Sequence, residues 1–245
     1  MKNYYGSLCT EMYELLHKDA PRDELDFYLS YAQAGDRILE PLCGSGRFLV
    51  PFLERGFDIQ GIDLSEEMLE KLRRKAPGAA ARRADITACE PEEQFDYIFI
   101  SSGSISLFTD LELCRKVLKS VRAMLKKGGK FVFATETMAD RCADSDDYEV
   151  TASVETAAGE TLVLRTKHTY NAASHTQFSP GIYELYRGSE LLRRETMDFQ
   201  THLYELGEME GMLKEAGFTE IQVYASFDKK PAVSNQSEMF LYECV

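Results

Sequence analysis

The sequence is short of several things, and each shortage removes a class of protein. No apolar run approaches the roughly 20 residues needed to cross a bilayer, so a membrane-spanning helix is not expected. The opening MKNYYGSLCTEMYE has no apolar core of the kind a secretory leader carries. Cys9, Cys43, Cys89, Cys114, Cys142 and Cys244 never come in close pairs. That spacing predicts neither a metal site nor a disulfide framework, and it fits reduced thiols in a cytoplasmic protein. Positive charge is scarce: 28 Lys and Arg stand against 41 Asp and Glu, a net charge of -13. Such a surface repels DNA or RNA on average, and the short basic spots near Arg82 and Arg193 have acids beside them. Nucleic acid is therefore a disfavoured partner. No G-x-x-x-x-G-K-[ST] run occurs, which argues against a P-loop ATPase.

What is present is an alternation. Apolar residues at helical spacing predict helix over much of 9–34, interrupted at Pro21. DRILE (36–40) reads as a strand, followed by a helix from about Arg47 to Glu54 that Gly56 ends. FDIQGIDLS is a second strand finishing at Asp63. Ser65 is placed to cap a helix through Lys75, with Glu66 and Glu67 in its first turn. A third strand ends near Asp85, FDYIFIS (95–101) is a fourth, and helix covers about 110–125. Residues 126–129 read as a turn before a fifth strand, KFVFATE (130–136). Strand and helix in strict turn imply right-handed βαβ crossovers and a parallel sheet covered on both faces. Residues 148–203 differ: they are β-rich, punctuated by turns, and predict three or four antiparallel strands inserted as a unit. A helix over 205–218 and two closing strands follow.

The chemistry gathers at the strand ends. Gly44 and Gly46 form a loop between strand and helix, the kind of turn that lets a ligand approach the backbone. Leu49 stands where the third glycine of a G-x-G-x-x-G dinucleotide loop belongs, which counts against a nicotinamide-dependent oxidoreductase. Asp63, at the tip of the next strand, is placed to accept from two ribose hydroxyls. Asp85, at the tip of the third, can accept from an exocyclic amine, with the Ile86 backbone beside it.

In order and spacing, EPLCGSGRFL, GIDLSEEML, ADI, FDYIFISSGSISLF and LKKGGKFVFATE resemble the class I S-adenosylmethionine-dependent methyltransferases. The resemblance covers roughly residues 10–136 and resumes at 205–245. It implies an α/β, Rossmann-like, doubly wound seven-stranded mixed sheet with a small antiparallel β insertion. Residues 1–147 and 204–245 would form the cofactor-binding domain and 148–203 the inserted subdomain. Glu40 would lie near the methionine end of S-adenosyl-L-methionine, with Gly44 and Gly46 passing under the methionine and ribose. Asp63 would hold the ribose diol, Leu64 would touch the adenine, Asp85 and Ile86 would read its edge, and Met68 would belong to the same cofactor site. Ser101 and Ser102 would face the methionine part and the substrate. Arg47, which follows the Gly loop, reads either as a contact to the cofactor carboxylate or a carboxylate near it, or as a plain helix-start arginine. Tyr13, paired with Glu14, matches a tyrosine that closes over the cofactor in relatives. Leu42 departs from the pattern by replacing a glycine.

The resemblance is nearest to small-molecule N-methyltransferases with an antiparallel strand insertion, which shapes the acceptor pocket and can build a homodimer. It implies in-line methyl transfer to a small-molecule acceptor, nitrogen slightly favoured over oxygen, leaving S-adenosyl-L-homocysteine. An RNA or protein methyltransferase and a non-catalytic S-adenosylmethionine-binding protein stay open. SSGS after the fourth strand, in place of Asn-Pro-Pro-Tyr, argues against adenine and glutamine methylation. No catalytic residue is assigned: His168 and His202 read as structural strand residues, His175 lies in a loop and His17 on a helix placed to cover the site, while Tyr170, Tyr183, Tyr186 and Tyr204 are candidates for an aromatic acceptor wall. Glu136 ends the fifth strand near the expected acceptor position.

Overall fold

The computed structural model describes residues 3–89 and 93–245. In chain order, α1 (Ser7–Leu16) and α2 (Arg22–Leu29) precede β1 (Arg37–Pro41). Then α3 (Leu49–Glu54) leads to β2 (Asp58–Asp63) and α4 (Glu66–Lys75) to β3 (Ala80–Arg83). After β4 (Phe95–Ile100), a 3₁₀ turn (Ser104–Leu107) and α5 (Leu111–Met124) lead to β5 (Leu125–Glu136). These strands and the last two, β13 (Ile221–Tyr224) and β14 (Met239–Cys244), form one sheet in the order β13-β14-β5-β4-β1-β2-β3. The pairs among β1 to β5 are parallel, and β14 runs antiparallel to both of its neighbours. This is the mixed, doubly wound, seven-stranded sheet that the resemblance implied, and its parallel part is the one that the alternation implied.

Period-two side-chain placement makes the core. Ile38, Tyr97, Phe99 and Val132 point to one face, against Tyr28, Phe52 and Leu69. Leu39, Ile98, Ile100, Phe131 and Phe133 point to the other, against Val117, Leu118, Val121 and Leu213. Burial on both faces is why these strands read as continuous apolar runs. The helix stops are local chemistry: the Ser65 hydroxyl accepts from the Met68 N–H at 3.1 Å, and Gly217 ends α6 (Glu208–Ala216) in the left-handed region at φ 96°. One expectation fails here. The turn expected at 126–129 is part of β5, which pairs Phe95 with Leu125 and then Tyr97 with Lys130. The extra residues are absorbed in an irregular step of the ladder, where Gly129 lies against the Phe95 and Asp96 carbonyls.

The β-rich stretch holds seven short strands, more than the three or four expected. They are β6 (Glu149–Glu155), β7 (Thr161–Thr166), β8 (Thr169–Asn171), β9 (Thr176–Phe178), β10 (Gly181–Arg187), β11 (Glu190–Met197) and β12 (Gln200–His202). They divide into a sheet ordered β11-β10-β7-β6 and a smaller one ordered β12-β9-β8. Two runs that read as single strands break because their backbones find partners off the ladder. The His168 N–H donates to the Ser145 hydroxyl and its carbonyl accepts from the Ser145 N–H, separating β7 from β8. The Asp198 carbonyl accepts from the Asn3 N–H and the Phe199 carbonyl from the Ser179 N–H, separating β11 from β12.

The larger inserted sheet is covered by α1. Leu8, Cys9 and Met12 pack on Leu162, Tyr183 and Met197. The Glu195 carboxylate accepts from the Leu8 and Cys9 N–H groups at 3.2 and 3.3 Å, satisfying two of the free donors at the helix start.

Candidate functional site

In the sheet order, chain connections run outward from β1 through β2 to β3, and from β4 to β5 on the other side. The carboxyl ends of β1 and β4 flank the switch point where open α/β sheets bind ligands. A cavity of ≈ 780 Å³ opens there, within the range of roughly 300–1,000 Å³ found for small-molecule sites.

Glu40, at the end of β1, lines the cavity and is 1% exposed. Its Oε1 accepts from the Ser101 hydroxyl at 2.9 Å, and its Oε2 has no hydrogen-bond partner among the described residues. Burial pushes its carboxyl well above the usual range. Asp63, at the tip of β2, accepts from the Gly44 N–H and the Ser65 N–H, both at 2.8 Å. Burial raises its pKa, against the pull of those N–H groups. The same carboxylate thus ties the Gly loop to the neighbouring strand. An ionised carboxylate offers about four acceptor sites, so two more bonds can form at Asp63. The loop needs a left-handed backbone where the resembled pattern has glycine, and Leu42 supplies it at φ 58°, at a cost of roughly 1–2 kcal/mol.

Tyr13, Leu42, Gly44, Arg47, Leu64, Met68, Asp85, Ser101 and Ser102 also line the cavity. Two expected residues do not. A Cβ on Gly46 would fall 2.3 Å from Leu72 Cδ1. Gly46 is thus a packing glycine under α4 and stands outside the cavity lining, where the resemblance had it pass under the methionine and ribose with Gly44. The Ile86 side chain, 3% exposed, sits in the core and leaves only its backbone near the cavity. Asp85 does reach it, with Oδ1 accepting from the Thr87 N–H and hydroxyl at 2.9 and 2.7 Å. Arg47 Nε donates to the Asp19 carbonyl at 3.0 Å. Glu14 bonds to Ser45 and pairs with Lys75 at 2.8 Å, so it clamps α1 onto the Gly loop and α4.

The aromatic wall is also corrected. Tyr170, Tyr183, Tyr186 and Tyr204 are absent from the described lining. Tyr183 packs on α1, Tyr204 lies in the main core, the Tyr186 hydroxyl donates to Glu184, and Tyr170 stacks under Arg141. Period-two packing uses them up. The tyrosines in the cavity are Tyr4, Tyr5 and Tyr13, and the first two were missed. They belong to a strap that crosses the opening. Asn3 Nδ2 donates to the Leu107 and Gln200 carbonyls at 2.8 and 2.9 Å, and Asn3 Oδ1 accepts from the Gln200 N–H. The Tyr4 hydroxyl donates to Glu67 at 2.6 Å, and the Ser65 hydroxyl to the Tyr5 carbonyl. The N-Y-Y triplet just before the first helix was the available signal.

His17 lines the cavity, its pKa lowered by burial and by Arg47. His168 bonds to Ser179 at 2.9 Å. Away from the cavity, buried His202 bonds to Glu208 at 2.8 Å and lies beside His175. Ligand atoms of these three fall within 4.8 Å of one another, a grouping the sequence spacing did not announce.

The fit of a sulfonium cofactor is tested by this donor set. A buried carboxylate with one orphaned oxygen, acidic strand tips and an open glycine backbone suit a cation bearing an amino group and a ribose. The Methyltransferase domain family model matches residues 38–129, which contain the Gly loop and the tips of β1, β2 and β4. A protein of Geobacillus sp. (strain WCH70), provisionally named a methyltransferase, is 26% identical over 94% of this chain and 95% of its own. A solved S-adenosylmethionine-dependent methyltransferase from Clostridium acetobutylicum ATCC 824 superposes with TM-score 0.76 at 19% identity, covering 95% of both chains. The sugar N-methyltransferase KedS8 from Streptoalloteichus sp ATCC 53650 gives TM-score 0.75 at 19% identity, covering 99% of this chain and 96% of that one. Residues 38–129 thus match a methyltransferase domain, and the sheet that carries them has the fold of solved S-adenosylmethionine-dependent methyltransferases.

Proposed function

We propose that this enzyme methylates a small molecule, at nitrogen in preference to oxygen. Residues 1–147 and 204–245 would bind the cofactor, and the inserted residues 148–203 would shape the acceptor side. The carrying observation is buried Glu40, a carboxylate of the cavity lining whose Oε2 has no hydrogen-bond partner among the described residues. An amino group from the methionine portion of the cofactor satisfies it. Asp63 takes the ribose hydroxyls on its two remaining acceptor sites, and Asp85 with the Ile86 backbone takes the adenine edge. Gly44 leaves its backbone open to the ligand, and Leu64 and Met68 flank the base. Tyr13 closes from α1, Arg47 meets the cofactor carboxylate, and Ser101 and Ser102 border the methionine portion.

The cofactor supplies the activated methyl group, so the protein's work is to align a nucleophile behind it and exclude water. The cavity is larger than one fragment needs and closed above by the strap. Nitrogen is favoured because a neutral amine attacks without a strong base, whereas a hydroxyl needs one. The shared fold with a solved sugar N-methyltransferase supports the same reading. Assembly through the outer face of the inserted sheet, where Val150, Leu191 and Leu192 are exposed, belongs to the same proposal.

The test is calorimetric titration of S-adenosylhomocysteine into wild type and Asp63→Ala. Wild type binds, and the variant binds at least about tenfold more weakly, roughly 1.4 kcal/mol. Equal affinities would remove the ribose role of Asp63. A wild-type chain that ignores the compound would remove the whole reading.

A further inference from the structure

The cavity has two sides that differ in chemistry. On the β1-β2-β3 side stand Glu40, Asp63 and Asp85, the strand-tip acids given above to the cofactor. On the opposite side of the switch point, at the end of β5, stands Glu136. Its backbone is fixed twice: its N–H donates to the Ser106 hydroxyl at 2.9 Å, and its carbonyl accepts from the Tyr204 N–H at 3.0 Å. Gly103 lies against its stem, and a Cβ there would be in ordinary contact with Glu136 Cγ at 3.4 Å. No Lys or Arg among the described residues forms an ion pair with it. The same cavity is walled by Tyr5, Leu107, Phe108, Leu113 and Phe199. A carboxylate with no cationic partner, set in an apolar wall, is costly unless a ligand completes it.

We propose that Glu136 receives the acceptor: its carboxylate pairs with a protonated amine borne on an apolar body, and takes one proton from it. The inference rests on the proposed small-molecule reading. The balance is simple. The ammonium N–H bond breaks and its proton moves to a Glu136 oxygen, leaving the lone pair on nitrogen. That pair forms the new N–C bond as the methyl carbon–sulfur bond breaks and its electrons return to sulfur. The products are a methylated ammonium and neutral S-adenosylhomocysteine, and Glu136 later gives its proton to water.

Two further facts favour this over an anionic acceptor. Arg47 is the one Lys or Arg of the described lining, and it stands beside the Gly loop on the cofactor side. A phosphate-bearing acceptor would meet acids and no cation on the β5 side, so the acceptor class is an amine without phosphate or sulfate. Burial, with Asp140 adding to it against the Thr201 side chain, pushes the Glu136 carboxyl up to about 7. That makes it a stronger base than an ordinary carboxylate, near the working pH. Tyr5 and Cys142 are the other titratable groups that feel its charge, and burial raises the pKa of each.

The test uses protein saturated with S-adenosylhomocysteine and three probes of one shape: benzylamine, benzoate and phenyl phosphate. Benzylamine binds, and Glu136→Gln weakens it at least tenfold while leaving S-adenosylhomocysteine affinity within threefold. Wild-type affinity for benzylamine falls as pH drops through about 7, and the Gln variant shows no such step. Benzoate and phenyl phosphate bind neither protein. Benzylamine binding that is absent, or equal in both proteins, overturns the assignment, as does preferential binding of phenyl phosphate. Because the saturating titration comes first, loss of S-adenosylhomocysteine binding is read as failure of the broader proposal, separately from the role of Glu136.

Discussion

The main sheet and the larger inserted sheet hold themselves together in different ways. The main sheet buries both faces, and Phe99 is enclosed by Tyr28 at 5.1 Å and Phe52 at 4.9 Å between ring centroids. The inserted sheet buries one face, beneath a single helix from a distant part of the sequence, and leaves Val150 and Leu191 on the other exposed. The first resembles the interior of any α/β domain. The second is a wall whose covering is also part of the cleft, since α1 carries Tyr13 and the strap precedes it. Stability and access to the site are therefore placed in separate regions.

Truncation distinguishes them. Phe99→Ala is expected to cost about 3–5 kcal/mol, read by urea denaturation as a lower midpoint for the whole molecule. Leu162→Ala, equally buried but under α1, should act locally. Its signature is faster amide exchange across α1, with the main sheet keeping its protection. Equal loss of protection in both regions would mean that they unfold as one unit.

The next effect is of pH. Glu136 has a folded pKa of about 7 against an ordinary value of 4.5. A raised carboxyl means the folded state binds the proton more tightly than the unfolded one. Its contribution is therefore fully present below pH 4.5 and is lost as pH rises through about 7, by up to roughly 3 kcal/mol. Melting temperature should decline over that window, and Glu136→Gln should flatten the decline. Glu24, Glu40, Asp63 and Asp140, whose carboxyls burial also raises, contribute to the part that remains.

Smaller effects separate the two loop glycines. Gly46→Ala meets Leu72 and a φ of 81°, so it should lose about 1–3 kcal/mol of stability. Gly44→Ala has nothing nearer than Met68 Sδ at 3.9 Å and should lose about 1 kcal/mol for its left-handed backbone. Its larger effect should be on S-adenosylhomocysteine affinity, because it faces the cavity. Parallel melting curves and titrations of the two variants would show whether the roles divide this way.

The legibility of the molecule follows the same division. Residues that repeat with a period, such as Ile38 and Leu39 or Phe131 through Ala134, announce their strand and both of its faces. Asp63 and Asp85 could be located because each ends such a strand. Gly46 could not be told from Gly44, since a sequence gives the need for glycine without saying whether a ligand or Leu72 imposes it. Tyr183 and Tyr204 were misplaced because alternation assigns a residue to a face without naming what covers that face. Tyr4 and Tyr5 were missed because their segment has no periodicity and is held by contacts such as Asn3 to Gln200, 197 positions apart.

The bond between Cys9 and Glu195 spans 186 positions, and it sets an order of events during synthesis. α1 leaves the ribosome long before β11 and has no seat until that strand has followed it. Leu8, Cys9 and Met12 must wait, apolar and unprotected, for strands made long afterwards, so the interval is one of exposure to aggregation or to chaperones. The roof of the cavity is translated well before the strands it rests on, and it is among the last parts to be fastened.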